Sequence, residues 1–209
     1  AAMSDAIAAF EGSKFFSPFD AKYDRYLRGE YQLTPQEDLG RTLFFSQQFT
    51  NCNLCHQLRT LPEQQKETFS NYEFHNIGVP ANTALRAINN ATQIDQGLLN
   101  HPDVDDVAQR GKFKTPTLRN VAVTGPYMHN GVFTDLRTVI LFYNKYNSRS
   151  VKRQINPETG EQWREPEVSQ TLSRKELETG PALDNKRIDA LVAFLKTLTD
   201  KKYEHLLEP

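Results

Sequence analysis

A mainly α-helical chain is what the sequence predicts, and three observations predict it. Apolar residues recur at helical spacing in separate segments, one of those segments opens on a capping box, and no run alternates apolar and polar residues long enough to build a sheet. At most short β-hairpins are expected. The 209 residues suit one domain, or one large and one very small.

Taken in order, Ser4 to about Phe16 reads as a first helix with Ile7 and Phe10 on one face. Ser17-Pro18-Phe19-Asp20 is turn-like, and Tyr23, Tyr26 and Leu27 predict one or two further helical turns. Thr34-Pro35-Gln36-Glu37 places a threonine cap, a proline at the first helical position and a glutamate three residues after the cap. Leu39, Leu43 and Phe44 then form the apolar face of a helix that delivers the chain to Cys52.

From Leu58 to Lys114 the pattern is weak, rich in asparagine and broken by Pro62, Pro80 and Pro102. So long an irregular stretch is uncommon in a compact domain unless it wraps a ligand. Phe113 to Asn120 and Gly125 to Gly131 read as turns and loops. A helix restarts near Thr134, with Leu136, Val139, Ile140 and Tyr143 following the i, i+3, i+4, i+7 rule, so Tyr143 points inward. Asn147 to Gly180 is polar and charged and is expected to be a surface loop, in which the single tryptophan, Trp163, packs either at an interface or in a satellite cluster. The closing helix is predicted over Asn185 to Leu198, with Ile188, Leu191, Val192 and Leu195 inward.

Composition narrows the function. With 25 basic against 26 acidic residues the net charge is −1, so no global field exists to hold nucleic acid or an anionic membrane. No apolar run approaches the roughly 20 residues of a membrane span. The hydrophobic fraction is 38%, lean even when glycine is added, which suggests that something other than protein fills part of the core. The first ten residues lack the basic and apolar stretches of a secretory signal, so an exported protein would already have lost one.

Both cysteines fall in Cys52-Asn53-Leu54-Cys55-His56, the Cys-x-x-Cys-His attachment sequence of c-type haem. Two thiols add across the two vinyl groups of the haem, and the adjacent histidine reaches the iron through a neutral imidazole nitrogen. A thioredoxin-like pair would want a βαβ context, but here a helix has just ended. Half of a zinc site would want a second ligand pair, and none follows at recognisable spacing. One covalent haem c is therefore expected, and with it an oxidising, extracytoplasmic compartment.

The iron needs a sixth ligand or an open site. By residue chemistry the candidates are Met128, Tyr143 and a histidine, with methionine raising the potential and tyrosine favouring oxidised iron. Each also has an ordinary packing role: Met128 against aromatic neighbours, Tyr143 as a hydrogen-bonded core residue, His75 and His129 as structural residues. His101 and His205 read as surface positions.

Cys52 to His56, taken with Phe74-His75-Asn76-Ile77-Gly78-Val79-Pro80, Gly111 to Val121, Gly125 to Gly131 and Leu191 to Asp200, resembles the C-terminal, electron-transfer half of the bacterial di-haem cytochrome c peroxidase and MauG family. The resemblance covers nearly the whole chain. It implies a cytochrome c-like domain over residues 31–209 whose irregular loops wrap the haem, with residues 1–30 as an interdomain linker and the N-terminal, peroxide-binding haem domain absent from this chain. It also implies a periplasmic oxidoreductase that takes electrons from a small redox donor or an oxidisable protein substrate. Those electrons pass to a haem in the partner domain that reacts with hydrogen peroxide, so the isolated chain is not expected to be a competent peroxidase. The family places its distal ligand on the helix beginning near Thr134, which falls on Tyr143 here rather than Met128. It further implies calcium held between the domains by main-chain carbonyls at Thr124 and Pro126. The competing expectation is a stand-alone single-haem electron carrier without catalysis.

Overall fold

The computed structural model describes residues 2–58 and 67–207. Pro62, one of the predicted breaks, lies outside the described residues. Eight α-helices are assigned among the described residues: α1 Ala2–Glu11, α2 Lys22–Leu27, α3 Pro35–Phe45, α4 Cys52–Cys55, α5 Thr83–Asn89, α6 Leu136–Asn144, α7 Arg174–Leu177 and α8 Asn185–Lys196. A two-stranded antiparallel sheet joins β1 Phe74–His75 to β2 Phe113–Lys114, pairing Phe74 with Lys114 and His75 with Phe113. The expected mainly α class holds. The sheet, however, pairs segments distant in sequence, where at most short hairpins were expected.

The scaffold is α3, α6 and α8. Helix α3 starts as its capping box dictates: Thr34 Oγ1 accepts from the Glu37 N–H at 3.3 Å, and the Glu37 carboxylate accepts from the Thr34 N–H at 2.8 Å. Gly40 lets α3 lie directly on α8, because a Cβ at that position would collide with the Ala190 carbonyl. Leu43, Phe44, Ile188, Leu191, Phe194 and Leu195 fill the junction. Helix α8 is capped by Asp184, whose carboxylate accepts from the Arg187 N–H at 2.8 Å, and it ends at Lys196, two residues before the predicted Leu198.

The domain core reaches further toward the N-terminus than residue 31. Tyr23 is buried with its ring edge-on to Phe194 at 5.4 Å, and its N–H donates to the Thr197 carbonyl at 3.0 Å. Part of the presumed linker therefore belongs to the core, since an aromatic side chain of this size is placed where it removes the most surface from water. Helix α1 does the opposite. It ends at Glu11 rather than Phe16, at Gly12-Ser13, and Phe15 and Phe16 turn back onto Phe10 at centroid distances of 6.1 and 5.6 Å. Ile7 and Phe10, its predicted face, are exposed.

Helix α5 was not anticipated in the irregular stretch. Its signals are present but short: Asn82 caps its start by accepting from the Leu85 N–H at 3.1 Å, and Asn90 closes it at φ 51°. Asn82 also donates to the Asn130 carbonyl at 3.0 Å, which fastens α5 to the loop at Gly125 to Gly131.

The segment 147–180 is a correction. The sequence predicts a surface loop, yet Val168 and Leu177 are buried and Trp163 packs edge-on to Phe133 and Phe142 at 5.7 and 5.6 Å. The indole N–H donates to the Arg153 carbonyl at 2.9 Å, so Trp163 is a packing residue within the chain. Glu158 accepts from the N–H groups of Thr134 and Asp135, both at 3.0 Å, and thereby caps the approach to α6. Backbone bonds and isolated contacts hold this segment, which is why no hydropathy period announces it.

Candidate haem site

Helix α4 is a single turn that holds the two cysteines on one side and presents His56 as its C-cap, with the His56 N–H donating to the Cys52 carbonyl at 2.9 Å. It is tied to the end of α3 by the Thr50 hydroxyl, which donates to the Leu43 carbonyl at 2.7 Å, and by the Asn53 amide, which donates to the Phe45 carbonyl at 2.9 Å. Neither cysteine is in a disulfide. Burial pushes the Cys52 thiol up; burial, followed by the charge of Glu176, pushes Cys55 up to about 12. Burial thus disfavours the thiolate that a nucleophilic cysteine would need.

His56 is tuned differently. Its Nδ1 lies 2.9 Å from the Phe69 carbonyl, and since a carbonyl only accepts, Nδ1 carries the proton and Nε2 keeps its lone pair. Burial, opposed by that hydrogen bond and aided by His75, lowers its pKa to about 4. The imidazole is therefore neutral and has one nitrogen available for a metal.

Cys52, Cys55 and His56 line a cavity of about 460 Å³. Helix α6 contributes Leu136, Val139, Ile140 and Tyr143, and α8 contributes Leu191 and Leu195. Glu167, Val168, Glu176 and Leu177, from the segment read as a surface loop, also line it. The Tyr143 hydroxyl makes no hydrogen bond among the described residues; burial raises its pKa, and the two thiols raise it further. Met128 lines the same cavity with a left-handed backbone at φ 70°. His75 and His129 are also on the wall, His129 lying flat on Phe113 at 3.5 Å. Thr124 and Pro126 touch the cavity from an exposed turn, whereas His101 and His205 are exposed and away from it.

The structure thus brings every predicted ligand candidate to one cavity. What sequence reasoning missed is the wall from 147–180 and the carbonyl of Phe69. A flat macrocycle needs apolar faces, two thiols at one edge and a neutral imidazole, and these residues fit it; the volume lies in the range of small-molecule sites, roughly 300–1,000 Å³. No helix is long and apolar enough to cross a membrane among the described residues.

Comparison with known proteins agrees with that fit. Over 209 residues the chain is 56% identical to the methylamine utilization protein MauG of Paracoccus denitrificans, a match that takes in 99% of this chain and 53% of the relative. The chain belongs to the di-haem cytochrome c peroxidase and MauG family. A cytochrome-c peroxidase of Denitromonas iodatirespirans, IdrP2, is 32% identical over 60% of this chain and 36% of its own. Among solved structures, the diheme peroxidase BthA of Burkholderia thailandensis superposes with a TM-score of 0.71 at 33% identity, covering 94% of this chain and 50% of BthA. No protein-family model matches. The chain spans 53% of the Paracoccus relative and 36% of IdrP2, so about half or less of these curated relatives. Membership in the MauG and peroxidase family accounts for the mainly helical fold and is consistent with c-type haem at a Cys-x-x-Cys-His turn.

Proposed function

We propose that this chain carries one covalent haem c and serves as the electron-transfer half of a periplasmic di-haem oxidoreductase of the peroxidase and MauG type. One arrangement carries the reading: both thiols, the metal-ready nitrogen of His56 and a Tyr143 hydroxyl with no hydrogen-bond partner among the described residues open onto a single apolar cavity. When bound, the haem supplies one-electron redox chemistry. The residues supply the rest. Cys52 and Cys55 would hold the group, His56 would serve as its proximal ligand, and Tyr143 would serve as its distal ligand. Tyr143 would bind as phenolate, so burial, which opposes loss of its proton, makes ligation depend on the positive charge of the metal. The walls from α6, α8 and 147–180 exclude water.

Electrons would come from a small donor protein or an oxidisable protein substrate and leave to a second, peroxide-reactive haem in a partner domain or chain. Thr124 and Pro126 would offer main-chain carbonyls to a calcium ion shared with that partner. Calcium takes oxygen ligands, backbone carbonyls among them, so this pair suits it without a carboxylate cluster. The test is Tyr143→Phe in the haem-loaded protein. A changed ferric absorption and EPR spectrum is expected; an unchanged one overturns the Tyr143 assignment and turns attention to Met128, a histidine or an open site.

A further inference from the structure

We infer that Arg119, paired with Asp24, is a positioning residue for the proximal histidine, holding the Phe69 carbonyl against the His56 Nδ1–H; this rests on the haem reading above. The pair is built for rigidity. Arg119 Nη1 and Nη2 donate to Asp24 Oδ2 and Oδ1 at 2.8 and 2.9 Å, with side-chain exposures of 11% and 12%. The guanidinium lies over the ring of Phe19 at 4.1 Å and over that of Phe69 at 5.6 Å, and its Nε donates to the Glu67 carbonyl.

Those contacts converge on the residue whose carbonyl accepts from the His56 ring. Phe69 is fully buried and has φ 56°, a left-handed conformation that a bulky side chain keeps only where its surroundings impose it. The segment 115–119 imposes it on both sides. The Thr68 carbonyl accepts from the Thr117 hydroxyl at 2.7 Å and the Leu118 N–H at 3.3 Å, and the Ser70 hydroxyl donates to the Thr115 carbonyl at 2.8 Å. Glu67, Thr68 and Ser70 are thus bound to this segment, while the Phe69 carbonyl is directed to His56.

The consequence is electronic. A stronger bond at Nδ1–H makes imidazole a better donor to iron and lowers the reduction potential, so whatever places the acceptor tunes the metal. Because Arg119 and Asp24 together are neutral, the effect is one of geometry rather than field. Lysine would retain the charge and lose the planar two-point grip.

The experiment uses the haem-loaded chain and reads two quantities: hydrogen–deuterium exchange of the His56 Nδ1–H by paramagnetic proton NMR, and the reduction potential by spectroelectrochemistry. Arg119→Lys is expected to speed exchange by about tenfold, the factor corresponding to one ordinary hydrogen bond, and to raise the potential. Asp24→Asn should shift both in the same direction. Wild-type exchange and potential in Arg119→Lys would overturn the inference. If that variant fails to hold haem, Thr117→Val, which removes one grip without leaving a buried charge unpaired, should give the same shifts at smaller size, and no shift there overturns it equally. Failure of the wild-type chain to attach haem at Cys52 and Cys55 would instead sink the haem reading itself.

Discussion

Helix α1 and the segment 147–180 reverse what their compositions suggest. The first has periodic apolar residues and ends up exposed, with Ile7 at 50% and Phe10 at 53%. The second is polar and irregular, yet it lines the candidate haem cavity through Glu167, Val168, Glu176 and Leu177. An apolar stripe says that a helix has a face to bury, but not that the burying surface lies in the same chain. A polar loop can be as well anchored as a helix when its backbone groups are matched by partners from elsewhere. The Asn76 amide shows this, donating to both the Val168 carbonyl and the Thr171 hydroxyl at 2.9 Å.

The sharpest way to break the contrast is Leu177→Ala. Leu177 is 3% exposed and lines the cavity, so its truncation should cost about 2–4 kcal/mol and reduce haem retention, read by thermal melting and by the ratio of Soret to protein absorbance. A surface loop would show neither effect. A smaller effect is expected at Glu158. Burial pushes its carboxyl up, but the hydrogen bonds from Thr134 and Asp135 outweigh this and hold it below the ordinary value of 4.5. Because the folded value is depressed, its contribution is present above the unfolded value and is lost as pH falls through the folded one. Glu158→Gln should therefore lower the melting temperature at neutral pH and converge with the wild type in acid; a constant difference across pH 7 to 3 would contradict the capping role. The smallest change is expected from Ile7→Ser, within about 0.5 kcal/mol of wild type in the isolated chain. A larger loss would mean that α1 packs on its own domain.

Legibility followed the range of the interaction. Thr34 and Glu37 cap α3 because the geometry joining them spans one helical turn, and the sequence displays it directly. The same holds for Cys52, Cys55 and His56, which need only five consecutive residues, and for the inward direction of Tyr143, which follows from helical spacing with Leu136, Val139 and Ile140. The extent of the core was less legible, since Tyr23 looked like part of a linker and lies against Phe194.

By itself, then, the sequence determined the helical class, the Cys-x-x-Cys-His turn and a short roster of candidate ligands, all encoded in spacings of a few residues. Only the tertiary structure decided which carbonyl accepts the hydrogen bond from His56 Nδ1, that Arg119 and Asp24 brace the segment carrying it, and that 147–180 lines the cavity. The physical reason is that every residue has a carbonyl and an N–H. A distant partner for one of them leaves no compositional trace until the chain is folded.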